Sequence, residues 1–218
     1  MTDPRAPAAA GRAPAAPLAA PCGSPITSPD CLPAPMEPDI ERILIHRDQI
    51  QARNRALAAD IAAVYSSDDT GLTLVPILSG SMIFLADLIR ELPLKMKLAL
   101  VQISTYPGPA TRPSDPKTVL ELSGDVTGRD VLVVDDILDS GRTLRRVFAM
   151  VHQRQPRSLR SAVLLRKPAR APADLHVDFV GFDIDDLFVV GYGLDHNDHY
   201  RNYPHVAVLR PKLMAPVE

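Results

Sequence analysis

The chain is expected to fold as an α/β protein, a twisted parallel sheet flanked by helices. Two observations predict it. Short, nearly all-apolar runs alternate with stretches of helical periodicity, the pattern of a sheet buried on both faces. The residues that suggest chemistry fall just after those runs, at the carboxyl ends of the strands, where such sheets bind ligands. Size and balance agree: 218 residues, 46% hydrophobic and 23% charged, suit one sizeable soluble domain.

Residues 1–38 are dominated by Pro, Ala, Ser and Gly. Such a segment buries too little apolar surface to offset its ordering entropy, so a disordered tail is expected, with 39–218 as the folded domain. From Ile40 the pattern changes. Asp48–Tyr65 carries Ile50, Leu57, Ile61 and Val64 near helical spacing and ends at a breaker cluster over 66–71. Leu72–Leu78 reads as a buried strand. Ser79-Gly80-Ser81 follows, then an amphipathic helix over Met82–Glu91, stopped by Pro93. Lys97–Thr105 reads as a second strand, and Tyr106–Pro116, with four prolines, as a loop. Val131–Val134 is a third strand, with a helix over Thr143–Gln153. Ser161–Leu165, Asp178–Phe182 and Phe188–Val190 read as further strands.

The formal net charge of -2 leaves no electrostatic footprint for nucleic acid or an anionic membrane. Any bound phosphate must be caught locally, by loops and helix ends. Both cysteines, Cys22 and Cys31, lie in the tail, which argues against a thiolate metal site or a disulfide framework in the domain. No apolar run approaches the roughly 18 residues of a membrane helix. A reduced, cytoplasmic protein is the expectation.

The most informative string is Val131-Leu132-Val133-Val134-Asp135-Asp136-Ile137-Leu138-Asp139-Ser140-Gly141-Arg142-Thr143-Leu144. A buried strand ends in two acids, turns through small residues and opens a helix. Backbone N–H groups and hydroxyls at that helix start make an anion pocket fit for a phosphate. The neighbouring acids make sense if the ligand also carries hydroxyls that need acceptors, as a ribose 5-phosphate does. A single acid here would be read as an ordinary helix cap.

This string resembles the phosphoribosyl-pyrophosphate signature of the type I phosphoribosyltransferases, above all their hypoxanthine–guanine members, and the likeness extends over about residues 40–210. The resemblance implies a small hood built from the chain ends. It implies magnesium, phosphoribosyl pyrophosphate and a 6-oxopurine as ligands, and a homodimer or homotetramer. It makes Asp135 and Asp136 the holders of the ribose hydroxyls and the metal, although the family more often has Glu at the first place. Asp139, Ser140, Gly141, Arg142 and Thr143 become the 5′-phosphate loop, with Asp139 also the general base or acid. Physical chemistry supports that role independently: a purine that attacks the anomeric carbon must lose a proton.

By the same resemblance Leu78, Ser79 and Gly80 form the pyrophosphate loop. Many relatives carry Arg or Lys where Ser79 stands, and the peptide before it can be cis. Thr105 and Tyr106 match the start of a mobile lid that keeps water from the reacting centre; read alone, they simply open a surface loop. Lys167 matches a lysine that donates to the purine's exocyclic oxygen, and so separates 6-oxo from 6-amino bases. Phe188 is the expected stacking platform, and the Val189 backbone reads the base edge. Asp195 matches a second magnesium ligand beside the purine, and Arg201 an arginine that neutralises pyrophosphate.

Two patterns carry less. His196 and His199 beside Asp195 and Asp198 suggest a transition-metal site only by spacing. Asp183, Asp185 and Asp186 lack the glycine and terminal glutamate of a calcium loop. Two other functions stay open on sequence: a non-catalytic binder of phosphoribosyl pyrophosphate, and a transferase for xanthine or a pyrimidine.

Overall fold

The computed structural model of the protein describes residues 36–65, 71–106 and 117–213. Residues 1–35 of the expected tail and the loop over 107–116 lie outside them. The order of elements is β1 (Ile40–Ile45), α1 (Arg47–Tyr65), β2 (Leu72–Pro76), α2 (Met82–Glu91), β3 (Met96–Leu98), β4 (Val101–Tyr106), β5 (Lys117–Leu122), β6 (Asp130–Leu138), α3 (Arg142–His152), β7 (Ser158–Arg166), β8 (Phe179–Asp183), β9 (Val189–Val190) and β10 (Val206–Leu209).

Five strands form the central sheet in the order β3-β2-β6-β7-β8, every neighbour parallel. Its middle strands are apolar on both faces because helices cover both. In β6, Leu132 and Val134 join Ile50, Leu57 and Ile61 of α1 and Phe84 and Leu88 of α2 in one core. Val131 and Val133, pointing the other way, join Leu144, Val147 and Val151 of α3 in a second. Each such side chain, fully buried, stabilises the fold by about 1.5–3 kcal/mol relative to exposure.

The structure departs from the sequence expectation most clearly at three places, besides adding β1 and β10 and ending the strand expected over Leu72–Leu78 at Pro76. The strand expected over Lys97–Thr105 is two strands. β3 closes one edge of the central sheet, whereas β4 leaves it and pairs antiparallel with β5, a strand the sequence pattern does not announce. The handover is marked by the Ala99 N–H, which still bonds the Leu74 carbonyl of β2 at 2.9 Å, and by the bridge between Ile77 and Val101. Second, β6 continues past Val134 through both acids to Leu138, because β7 keeps pairing alongside it as far as Arg166. Third, Phe188 stands outside β9, and β9 belongs to a separate antiparallel sheet in the order β1-β10-β9. That small sheet, made from both ends of the described chain, is the expected hood. Finally, β7 and β8 are parallel neighbours joined by residues 167–178, in which no helix forms.

Candidate functional site

The chemistry-bearing string sits where β6 ends and α3 begins. Its residues line a cavity of about 350 Å³, within the size range of ligand sites. Asp135, Asp136, Asp139, Ser140, Gly141, Arg142 and Thr143 from the string line it together with Leu78 and Gly80 from the turn after β2. The two segments meet because β2 and β6 are parallel neighbours, so their carboxyl ends lie side by side. The turn is held from below: the buried Ser81 hydroxyl donates to the Ile77 carbonyl at 2.7 Å. The Leu78–Ser79 peptide is cis.

Asp135 is buried and Asp136 partly so, which limits the solvation of their charge. Burial, and then the neighbouring Asp136, raise the Asp135 carboxyl well above the usual carboxylate range. Asp136 is also raised by burial, although a bond from the Ile137 N–H at 2.8 Å and the Arg201 guanidinium work against it. Such a pair fits hydroxyl donors or a hard cation. Among the described residues no three His, Cys, Asp or Glu side chains converge as a complete metal cage. Asp135 and Asp136 supply oxygen only, a donor pair that fits a cation whose remaining ligands are substrate oxygens and water, while Asp195 does not line the cavity.

Asp139 is tied into a compact ion network. Lys167 Nζ lies 3.4 Å from Asp139 Oδ2 and 3.2 Å from Asp186 Oδ1. Arg170 Nε lies 2.5 Å from Asp139 Oδ1, and its Nη1 lies 3.5 Å from Asp186 Oδ2. Lys167 is nearly fully buried, while Phe188 is 46% exposed, so one face of the ring is open for stacking. Phe188 meets His196 edge-on, with centroids 5.4 Å apart. Val189 of β9 pairs with Val208 of β10, and β9 has no strand on its other side among the described residues.

Arg201 Nη2 lies 2.8 Å from Asp195 Oδ1 and 3.1 Å from Asp198 Oδ1, and its Nη1 donates to the Gly193 carbonyl at 2.9 Å. The structure thus brings the acid pair, the phosphate turn, Leu78 and Gly80 into one cavity, and links Lys167 to it through Asp139. Ser79 does not line that cavity. Thr105 and Tyr106 are the last residues of β4, paired with Thr118 and Lys117 of β5, and the segment they lead into lies outside the described residues.

Sequence reasoning misses Arg170, which has no local signal: it lies in the helix-free crossover after β7. It also misses the role of Asp186. The acid cluster there is visible, but it serves as a set of counter-ions. Asp183 receives a two-pronged bond from Arg166 at 2.6 and 2.8 Å, and Asp186 receives Lys167. His196 and His199 face each other across a backbone turn, and His196 Nε2 lies 3.1 Å from the Leu213 carbonyl.

Residues 46–197 match the family described as the phosphoribosyl transferase domain. The hypoxanthine-guanine phosphoribosyltransferase of Bacillus subtilis is 37% identical over 176 residues, covering 81% of this chain and 97% of its own. Among solved structures, a hypoxanthine phosphoribosyltransferase from Staphylococcus aureus superposes with a TM-score of 0.76 at 32% identity, covering 85% of this chain and 100% of that one. Another, from Trypanosoma cruzi, concerns the role of its C-terminal region in oligomeric state and enzymatic activity. It has a TM-score of 0.72 at 32% identity, covering 81% of this chain and 94% of its own.

Proposed function

The chain belongs to the phosphoribosyltransferase family, and from that premise we propose how its site carries out purine salvage. The reaction transfers the phosphoribosyl group of phosphoribosyl pyrophosphate to hypoxanthine or guanine, releasing pyrophosphate and giving IMP or GMP. One observation carries the assignment of roles: a phosphate-sized turn, a buried acid pair and a second backbone turn line a single cavity, with Asp139 joined to a buried lysine.

The N–H groups of Ser140–Thr143 at the start of α3 receive the 5′-phosphate. Asp135 and Asp136 accept hydrogen bonds from the ribose hydroxyls. Lys167 turns its ammonium from Asp139 toward the 6-oxo group, Phe188 stacks on the base, and the Val189 backbone meets its edge. With Lys167 engaged, Asp139 accepts the proton that the purine nitrogen loses as it attacks the anomeric carbon. The Leu78–Ser79–Gly80 backbone and Arg201 hold the departing pyrophosphate. Because Ser79 brings no charge, Arg201 is the side-chain cation on that side. Asp135, Asp136 and Asp195 would hold magnesium, which would supply further neutralisation of the leaving group. Thr105 and Tyr106 begin a lid that excludes water.

The working unit is residues 39–218, a dimer or tetramer in the cytoplasm, with 1–38 an appended tail. No helix among the described residues is long and apolar enough to cross a membrane.

Pyrophosphate release with hypoxanthine, guanine, xanthine and a pyrimidine, in the wild type and in Asp139→Asn, tests the reading. Turnover with 6-oxopurines and a kcat loss of about 10²–10⁴-fold in Asp139→Asn is expected. Binding of phosphoribosyl pyrophosphate without turnover would make the protein a regulator. A pyrimidine preference would overturn the roles given to Lys167 and Phe188.

A further inference from the structure

The turn over Gly191–Leu194 is closed by its own N–H···O bonds and fastened to the molecule at two points. The first is backbone against backbone. Gly193, at φ 102°, lies so close to the Gly80 carbonyl that a Cβ there would sit 2.1 Å from the oxygen. Gly193 also exchanges bonds with Arg201: its N–H donates to the Arg201 carbonyl at 2.9 Å, and its own carbonyl accepts the Arg201 guanidinium at 2.9 Å. The second point is a phenol. The Tyr192 hydroxyl donates to Asp87 Oδ2 on α2 at 2.5 Å and accepts from Asn54 Nδ2 on α1 at 2.8 Å.

Gly80 and Asp87 belong to one loop-and-helix unit, since α2 starts at Met82. The Tyr192 turn therefore grips that unit at its loop and again along its helix. Tyr192 is buried, and it holds a φ of 51°, uncommon for a residue with a side chain. A conformation of that kind persists where surrounding bonds over-determine it. Burial, then the bond to Asp87, push the hydroxyl pKa up, so it remains a donor across the physiological range.

We propose that Tyr192 is a positioning residue for the pyrophosphate end of the site, its hydroxyl on Asp87 keeping the Gly193–Arg201 backbone seated against Gly80. The inference rests on Gly80 and Arg201 being that end, as argued above. The 5′-phosphate turn is built differently, on β6 and α3, with the second core on the opposite face of the sheet. The latch should leave it untouched.

Tyr192→Phe removes one oxygen and keeps the ring that fills the space. Titration calorimetry on the full chain, with magnesium pyrophosphate and separately with ribose 5-phosphate, reads the two ends of the site. Pyrophosphate affinity is expected to fall about three- to tenfold, the scale of one ordinary hydrogen bond, with ribose 5-phosphate changed by less than about twofold. In steady state the KM for phosphoribosyl pyrophosphate rises by a similar factor while kcat and the purine KM hold. Asp87→Asn, which keeps an acceptor, should retain most of the pyrophosphate affinity. Unchanged pyrophosphate affinity in Tyr192→Phe, or equal weakening of both ligands, overturns the latch. A wild type that binds ribose 5-phosphate but no pyrophosphate overturns the assignment of Gly80 and Arg201, and the latch with it.

Discussion

Gly80 faces the carboxylate of Asp136 so closely that a Cβ added to it would lie 1.8 Å from Oδ2 and 2.6 Å from Cγ. No residue other than glycine fits there unless Asp136 moves, and Asp136 is a wall of the cavity. Gly80→Ala should therefore displace an acid pair and a pyrophosphate turn together. The expected result is a loss of at least about tenfold in kcat/KM for phosphoribosyl pyrophosphate, since small misplacements at a reacting centre cost up to about 10²-fold. Steady-state kinetics on a variant with wild-type circular dichroism would check it. Rates within twofold of wild type would mean the turn is merely a connection between strand and helix.

Lys167 sits between Asp139 and Asp186, buried and doubly paired. Two of the three ammonium N–H donors are engaged there, so one is left for a purine oxygen, while freeing Asp139 to take a proton requires that pair to relax. Lys167→Met keeps much of the volume and removes the donor. Hypoxanthine efficiency should drop about 10–100-fold, because a bond from a charged donor is worth about 1.5–3 kcal/mol. The preference for hypoxanthine over adenine should shrink with it. Competition assays with both bases read this directly, and an unaltered preference would remove Lys167 from base selection.

These features differ in how far the sequence discloses them. The turn over Asp139–Thr143 is contiguous, so its residue types and their order announce it in the sequence. α2 is legible to the residue, because its apolar face and the proline beyond its end are local signals. β1 and β10 are not, since these short strands pair with each other across most of the chain, and neither is β5, whose pairing with β4 carries no apolar run to announce it. β6 shows the same limit within one element: apolar character ends at Val134, but pairing with β7 carries the strand through Asp135 and Asp136. The contacts of Lys167 with Asp139 and Asp186, and of Tyr192 with Asp87, join residues that only the finished fold brings together.

The raised carboxyls of Asp135 and Asp136 give a pH signature. A carboxyl whose folded pKa lies above its unfolded value binds more protons in the native state, so the unliganded protein loses stability as pH rises from the ordinary carboxylate range through the raised pKa. Above that value the cost is fully present. Asp135→Asn mimics the protonated form and still offers the oxygen that accepts the Asp136 N–H. At neutral pH the variant should melt a few degrees higher than wild type, as about 1 kcal/mol moves the midpoint of a chain this size by about 2–4 °C. The advantage should vanish toward pH 4, and turnover should be severely reduced. Thermal melts across pH, without ligand, measure it, and a variant that melts lower at neutral pH contradicts the assigned shift.

Arg170 completes the frame around Asp139. Its guanidinium lies 2.5 Å from Asp139 Oδ1 and reaches toward Asp186, while Lys167 holds the other Asp139 oxygen. On the proposed mechanism, in which the purine draws Lys167 away, Arg170 is the cation left beside the carboxylate. The side chain is half exposed, so its ion pairs contribute little to stability. Arg170→Gln should then leave the melting midpoint nearly unchanged and lower kcat by about tenfold, with the KM for phosphoribosyl pyrophosphate preserved. Arg170→Lys can reach one carboxylate but cannot fork across two, and should recover only part of the rate. A kcat that survives Arg170→Gln would show that Lys167 and the bound purine orient Asp139 without it.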